Sequence, residues 1–202
     1  MSSTTKITAK EVQELRQRSG AGMMESKRAL EAAGGDMEKA AAALRAKGIT
    51  KAEKREGKQT SEGIIGHYVH HNHKVGVLVE VNCETDFVAR TDDFKALVKE
   101  LALQIASANP IAVDVSGIPA EVAERERRRF EQEVQASGKP EHLVPKIVEG
   151  KVTAFNKDHV LLLQPWIREP KKSVGELVKE TSAKVGENII VRRFARFEIG
   201  KE

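Results

Sequence analysis

Between positions 67 and 86 the sequence gathers the side chains most capable of covalent or metal chemistry: His67, His70, His71, His73, Cys83 and Asp86. A thiolate nucleophile needs a base and an orienting partner, so Cys83 with upstream histidines and a nearby aspartate outlines a cysteine hydrolase. Against this, Cys83 ends a valine-rich stretch where a small apolar side chain fits a pleated strand, which reads as a buried structural cysteine. The histidines invite a metal, because imidazoles are common ligands and His67, His71 and His73 can share a face of a hairpin. The turn holds no acidic or thiol ligand, however, and an exposed polar turn with no metal is the simpler reading. No phosphate-cradling glycine motif and no nucleophile elbow occurs, so no cofactor is expected.

A different kind of chemistry is suggested by Asn82-Cys83-Glu84-Thr85-Asp86-Phe87-Val88, where a polar stretch leaving a strand presents a large apolar pair. Periodicity by itself assigns Phe87 to the core more readily than to a partner, since most aromatics of small domains are core residues. Met23-Met24 beside Gly22 is open in the same way, as core filler or as an adaptable contact surface.

The elements that position these residues follow from local pattern. Thr8 with Glu11 is a capping box, and Ile7 with Val12 can close a hydrophobic staple, so a helix is predicted from Ala9 to about Ser19. Gly20-Ala21-Gly22 breaks it, a second helix starts near Met23, and Gly34-Gly35 ends that one. Asp36 caps a third helix, whose Met37, Ala40, Ala41 and Leu44 make a buried stripe and whose end is expected at Gly48. This three-helix module has few large side chains, so its core is thin. Alternation then turns two-fold through Ile65, His67, Val69 and Val75, Val77, Val79, Val81, predicting a hairpin with Asn72 at a left-handed turn position. A helix carrying Phe94, Leu97, Val98, Leu101 and Ile105 follows. Residues 120 to 136, with four arginines and five glutamates, read as a solvated helical arm. Leu143, Ile147 and Phe155 mark another helix, and Val160 to Leu163 with Trp166-Ile167 form a dense apolar segment. A helix around Val174 to Val185 and a strand from Asn188 to Ile199 close the chain. Ile189, Val191, Ala195, Phe197 and Ile199 share a face of that strand with Arg193, which predicts a sheet edge or a polar neighbour.

These elements define an α+β protein: an N-terminal three-helix module over 1–50, a charged linker over 51–62, and over 63–202 a small antiparallel sheet packed with helices. Of 202 residues, 34 Lys and Arg against 30 Asp and Glu leave a net charge of +4, interspersed rather than patched. The densest basic run, Lys47 to Lys58, is diluted by Glu53 and Glu56 and reads as a solvated linker, not a nucleic-acid surface. No stretch approaches the roughly 18 consecutive apolar residues of a spanning helix, and no secretory signal is apparent, so a cytoplasmic location is expected. A single cysteine excludes an internal disulfide, and any bridge would join two chains.

Taken in order, the motifs resemble the translation elongation factor Ts family from end to end. They are Glu14-Leu15-Arg16 with Ser19-Gly20-Ala21-Gly22-Met23-Met24, then Val79 through Ala89, then Val174-Gly175-Glu176 and Gly186 through Phe194. The family usually has threonine at the place of Ser19 and often aspartate-cysteine at the place of Glu25-Ser26, changes that keep size and polarity. The resemblance implies a guanine-nucleotide exchange factor that binds elongation factor Tu, a GTPase, and accelerates GDP loss without breaking a covalent bond. It implies that Asp86 and Phe87 form a wedge beside the partner's magnesium site, with Thr85 and Val88 holding the tip in shape. It also implies a ubiquitin-associated-like N-terminal module that docks Arg16, Met23 and Met24 on the GTPase. The length resembles the family's short variant with a single core subdomain, which implies a homodimer by analogy, and neither direct nucleic-acid contact nor a membrane is expected as a partner. The alternative is a non-catalytic ubiquitin-associated-type adaptor, in which Phe87 is buried.

Overall fold

In the computed structural model, which describes residues 7–55 and 57–201, helix α1 (Ala9–Ser19) starts where the capping box places it. Glu11 N donates to Thr8 Oγ1 at 3.3 Å and Thr8 N donates to Glu11 Oε2 at 2.7 Å. Gly20 ends α1 in the left-handed region (φ 68°), its N–H returning to Arg16 O. After α2 (Met23–Ala32), Asp36 caps α3 (Met37–Glu53) by accepting from Lys39 N at 3.0 Å. Val12, Leu15, Leu30, Ala40 and Leu44 form the small core, and Ile7 packs against it as the staple requires. Glu56 of the charged run lies outside the described residues, as do the side chains of residues 51 to 53.

The strands and helices that follow are β1 (Glu62–Val69), β2 (Val75–Cys83), α4 (Asp86–Ala89), α5 (Asp92–Ala108), α6 (Ala120–Ala136), α7 (Val144–His159), β3 (Pro165–Trp166), β4 (Glu169–Ser173), α8 (Val174–Val185) and β5 (Ile190–Glu198). A three-stranded sheet has the order β1-β2-β5, and β3 pairs with β4 in a separate ribbon. The fold class is therefore α+β, with helices α1 to α3 gathered at the N-terminal end.

Two compact units emerge. One comprises the chain up to Gly63 with Asn82–Leu97 and Val178–Ile190; the other comprises Ile64–Val81, Val98–Leu177 and the chain from Val191 onward. This grouping cuts across the linear division at 50 and 62. The reason lies in the first unit, where the three-helix module leans on α8. A Cβ on Gly48 would lie 3.0 Å from Ala183 Cβ, and one on Gly20 would meet Lys184 Cγ at 2.7 Å. Gly48 is thus not the helix end expected from sequence: α3 continues through it to Glu53, and the missing side chain serves close approach to α8. Arg45 adds an ion pair to Glu180 at 3.2 Å. The thin core gains packing from a helix more than a hundred residues further on.

In the second unit β5 is an edge strand, and Arg193 Nε reaches Glu80 Oε2 on β2 at 2.7 Å, the polar neighbour expected of it. Burial changes along the row that Arg193 interrupts. Ile189 and Val191 are buried, whereas Ala195, Phe197 and Ile199 are exposed. The hairpin turn differs from expectation: the left-handed residue is His73 (φ 58°), not Asn72. Asn72 Oδ1 instead accepts from Lys74 N at 3.0 Å, an Asx turn that moves the positive φ one residue on. Helix α6 is also more than a solvated arm. It buries Phe130 and Val134 against Val148 of α7, with Arg127–Glu149 and Lys151–Glu133 pairs along the seam, so the two form a helical hairpin with its own core. Two buried glutamines stitch α5 to the β3 segment: Gln104 Nε2 donates to Gln164 Oε1 at 3.2 Å, and Ile167 N donates to Gln104 Oε1 at 3.0 Å.

Candidate partner-docking site

The site is built from the end of β2. Val77, Val79, Val81 and Cys83 alternate into the core, and the strand stops at Cys83 because the next residues turn into a new helix. Thr85 is extended (φ −131°, ψ 156°) and caps α4, its Oγ1 accepting from Val88 N at 3.4 Å. Five residues after Thr85, Arg90 ends the turn, and Thr91 Oγ1 donates to Val88 O at 2.7 Å. A one-turn helix is too short to be stable by itself, so its shape must come from its mounting.

That mounting is largely Glu187. Its Oε2 accepts from Glu84 N at 3.1 Å and from Thr85 N at 3.0 Å, while its Oε1 accepts from Thr85 Oγ1 at 2.6 Å. The arrangement is reciprocal: Glu84 Oε1 accepts from Asn188 N at 2.7 Å, and Asn188 Nδ2 donates to Lys58 O at 3.0 Å. The Asn188 N–H, with Lys58 and Arg55 beside it, holds the Glu84 carboxyl below its ordinary range. Bonds to a carboxylate are the strong ones, so the two segments, about a hundred residues apart in sequence, are clamped together.

On this mount Phe87 is 79% exposed, the largest exposure among the large hydrophobic side chains described. Asp86 pairs with Arg90 at 2.8 Å, while Val88 is half-buried and Ala89 is buried beneath the tip. Periodicity places Phe87 in the core; the structure corrects that, because Ala89 and Cys83 already fill the positions that face inward. The mounting therefore leaves the ring of Phe87 facing solvent on a rigid support.

Cys83 is fully buried, and its thiol donates to Thr85 O at 3.2 Å. Burial, then the nearby Glu187 carboxylate, push it up to about 11, so it is neither a ready nucleophile nor within reach of a second chain. His70 Nδ1 lies 2.9 Å from Tyr68 Oη, and His67, His71 and His73 are exposed. Among the described residues no group of three His, Cys, Asp or Glu is placed to hold a metal ion.

The N-terminal module carries a second apolar surface in the same unit. Met23 and Met24, 46% and 60% exposed, line a groove of about 710 Å³ with Gly22, Arg28, Ala43, Leu44 and Lys47. Lys47 pairs with Glu25 at 2.8 Å across its wall. Arg16 is exposed on α1 but does not line this groove. Glu187 is the residue sequence reasoning passed over. It stands in a motif, but nothing local tells that it braces a loop 102 positions earlier.

Fold and site together define an α+β protein whose distinctive features are surfaces: a braced apolar tip and a methionine-lined groove. Comparison with known proteins gives the particular family. A family model described as "Elongation factor TS" matches residues 5–201. The chain is 52% identical over 195 residues to elongation factor Ts of Coprothermobacter proteolyticus, covering 96% of this chain and 99% of that one. It is 49% identical over 195 residues to those of Desulfosudis oleivorans and Thermosipho melanesiensis, covering 96% of this chain and 98% and 100% of theirs. The chain belongs to the elongation factor Ts family. Among the described residues no helix is long and apolar enough to cross a membrane.

Proposed function

We propose that this protein is a cytoplasmic guanine-nucleotide exchange factor of translation elongation that binds elongation factor Tu carrying GDP and promotes GDP release. What carries the reading is Phe87: a large apolar side chain, 79% exposed, on a turn held by charge-assisted hydrogen bonds. A factor that prefers the nucleotide-free partner must weaken nucleotide binding by the same ratio, each tenfold being about 1.4 kcal/mol. Phe87 and Asp86 would enter the partner beside its magnesium ion, with Thr85 and Val88 keeping the tip in shape. The ion neutralises phosphate charge, so disturbing it loosens the diphosphate without contact to the guanine. No covalent bond is made or broken.

Arg16, Met23 and Met24 would make a second contact on the GTPase, the methionines adapting to its surface. Two contacts on one unit raise the effective concentration of the second. A homodimer completes the reading. Ile65, Val69, Leu78 and Phe197 point outward from the sheet and are exposed, an apolar face suited to a second copy. The adaptor alternative requires Phe87 to be buried, which its exposure opposes.

The test is release of labelled GDP from elongation factor Tu with and without this protein. Acceleration by the wild type, and its loss in Phe87→Ala with the fold intact, is the expected result. No acceleration, or a Phe87→Ala variant as fast as wild type, would sink the proposal.

A further inference from the structure

We infer that Glu187 is the positioning residue of the exchange tip, acting through Thr85; the inference rests on the exchange reading for its functional half. The argument begins with the hydroxyl. Thr85 Oγ1 has one proton to give and two lone pairs. The Glu187 carboxylate, which can only accept, takes that proton at 2.6 Å, so the lone pairs are left facing the tip and accept from Val88 N at 3.4 Å. The charge on Glu187 thereby sets the direction in which the capping hydroxyl points. Its other oxygen takes the two backbone N–H groups, of Glu84 and Thr85, that would otherwise be free where β2 hands over to α4.

Glu187 is itself held. It follows Gly186 at the end of α8, its carbonyl accepts from Ser182 Oγ, and Asn188 beside it is anchored to Glu84 and to Lys58 O. The brace therefore stands on a fixed element, and a one-turn helix bearing an exposed phenylalanine inherits that rigidity. Replacing the carboxylate with an amide of the same shape would break the logic without emptying the space. The amide oxygen can take the two backbone N–H groups, but its NH2 then points at Thr85 Oγ1 and reverses the hydroxyl. The hydroxyl proton then has no carboxylate to fix it, so a lone pair is no longer held on Val88 N–H and the cap is weakened.

The experiment compares wild type, Glu187→Gln, Phe87→Ala and the double variant as full chains, by labelled-GDP release from elongation factor Tu at increasing factor concentration. Glu187→Gln is expected to lower the limiting release rate at least about tenfold while moving the half-saturating concentration less than about twofold, because the methionine groove is untouched. In the Phe87→Ala background the same change should cost almost nothing further, since both act through one tip. Losses that multiply would overturn the inference and leave Glu187 with a merely structural role, as would a Glu187→Gln variant that releases GDP like wild type. Amide hydrogen exchange gives a readout independent of the partner: protection at Thr85 and Val88 should fall in Glu187→Gln with the core of α5 unchanged. Unchanged protection there refutes the brace. A wild type that does not accelerate release refutes the exchange reading instead, and the amide result still decides the brace.

Discussion

The two apolar surfaces of the first unit, Phe87 on the tip and Met23-Met24 on the helical module, are both exposed but are made in opposite ways. Phe87 sits on a single turn fixed by a carboxylate, two backbone amides and a hydroxyl drawn from distant parts of the chain. The methionines open α2 behind Gly22, which supplies no side-chain cap, in a module whose core is one valine, three leucines and an alanine. The first surface has one rigid side chain on a rigid mount; the second has two flexible side chains on a lightly packed one. A rigid anchor suits a step that must displace something, whereas adaptable thioethers suit affinity without strict geometry.

The sharpest way to break this comparison is Phe87→Ala. If the tip is the working anchor, GDP release should slow by about a hundredfold while the melting temperature holds, because truncating an exposed side chain leaves the core alone. Next in size is Gly20→Ala, which puts a side chain at φ 68° and 2.7 Å from Lys184 Cγ. It should cost about 2 kcal/mol in denaturant unfolding, weakening the support of the groove but not of the tip. The pair Met23→Ala with Met24→Ala should weaken binding of elongation factor Tu by about tenfold in titration calorimetry, with the release rate at saturation unchanged. A lower saturated rate would mean that the two surfaces do not divide the labour as described.

Smaller effects refine the picture. Ser26 in α2 is fully buried, and its Oγ has no hydrogen-bond partner among the described residues. Ser26→Ala should therefore stabilise the module by up to about 1 kcal/mol, measured by denaturant midpoint; a loss would show that the hydroxyl is satisfied. Cys83→Ser should leave exchange near neutral pH unchanged. The stability difference between the two should depend on pH, because the folded thiol is raised from 9.0 to about 11. The folded state holds that proton more tightly than the unfolded chain, so this stabilisation is complete below the unfolded value and fades as pH climbs through the folded one. Denaturant midpoints of the two proteins at about pH 8 and about pH 10.5 would show the wild type alone losing it.

Much of this molecule is legible in local pattern because its signals are short-range. A capping box needs residues three apart, a hairpin needs two-fold alternation, and an amphipathic helix such as α5 needs apolar residues at turns of 3.6. The edge position of β5 was legible for a similar reason, since Arg193 in an apolar row calls for a polar neighbour and finds Glu80. The role of Gly48 was not. A glycine at a helix end and a glycine at a helix crossing look alike until Ala183 is seen beside it. Helix α6 was read as an arm because its charges outnumber Phe130 and Val134, and only the pairing with α7 buries those two.

The candidate site divides along the same line. The sequence by itself determined where the tip lies, which residue types it offers, and that Cys83 before it is a strand residue, because these depend on alternation and on a cap within a few positions. Only the tertiary structure decided that Phe87 faces outward and that Glu187 holds the turn beneath it. Both depend on which side of the last strand residue the core occupies and on what stands opposite the free amides after it. Those are contacts between segments about a hundred residues apart, and no periodicity carries them.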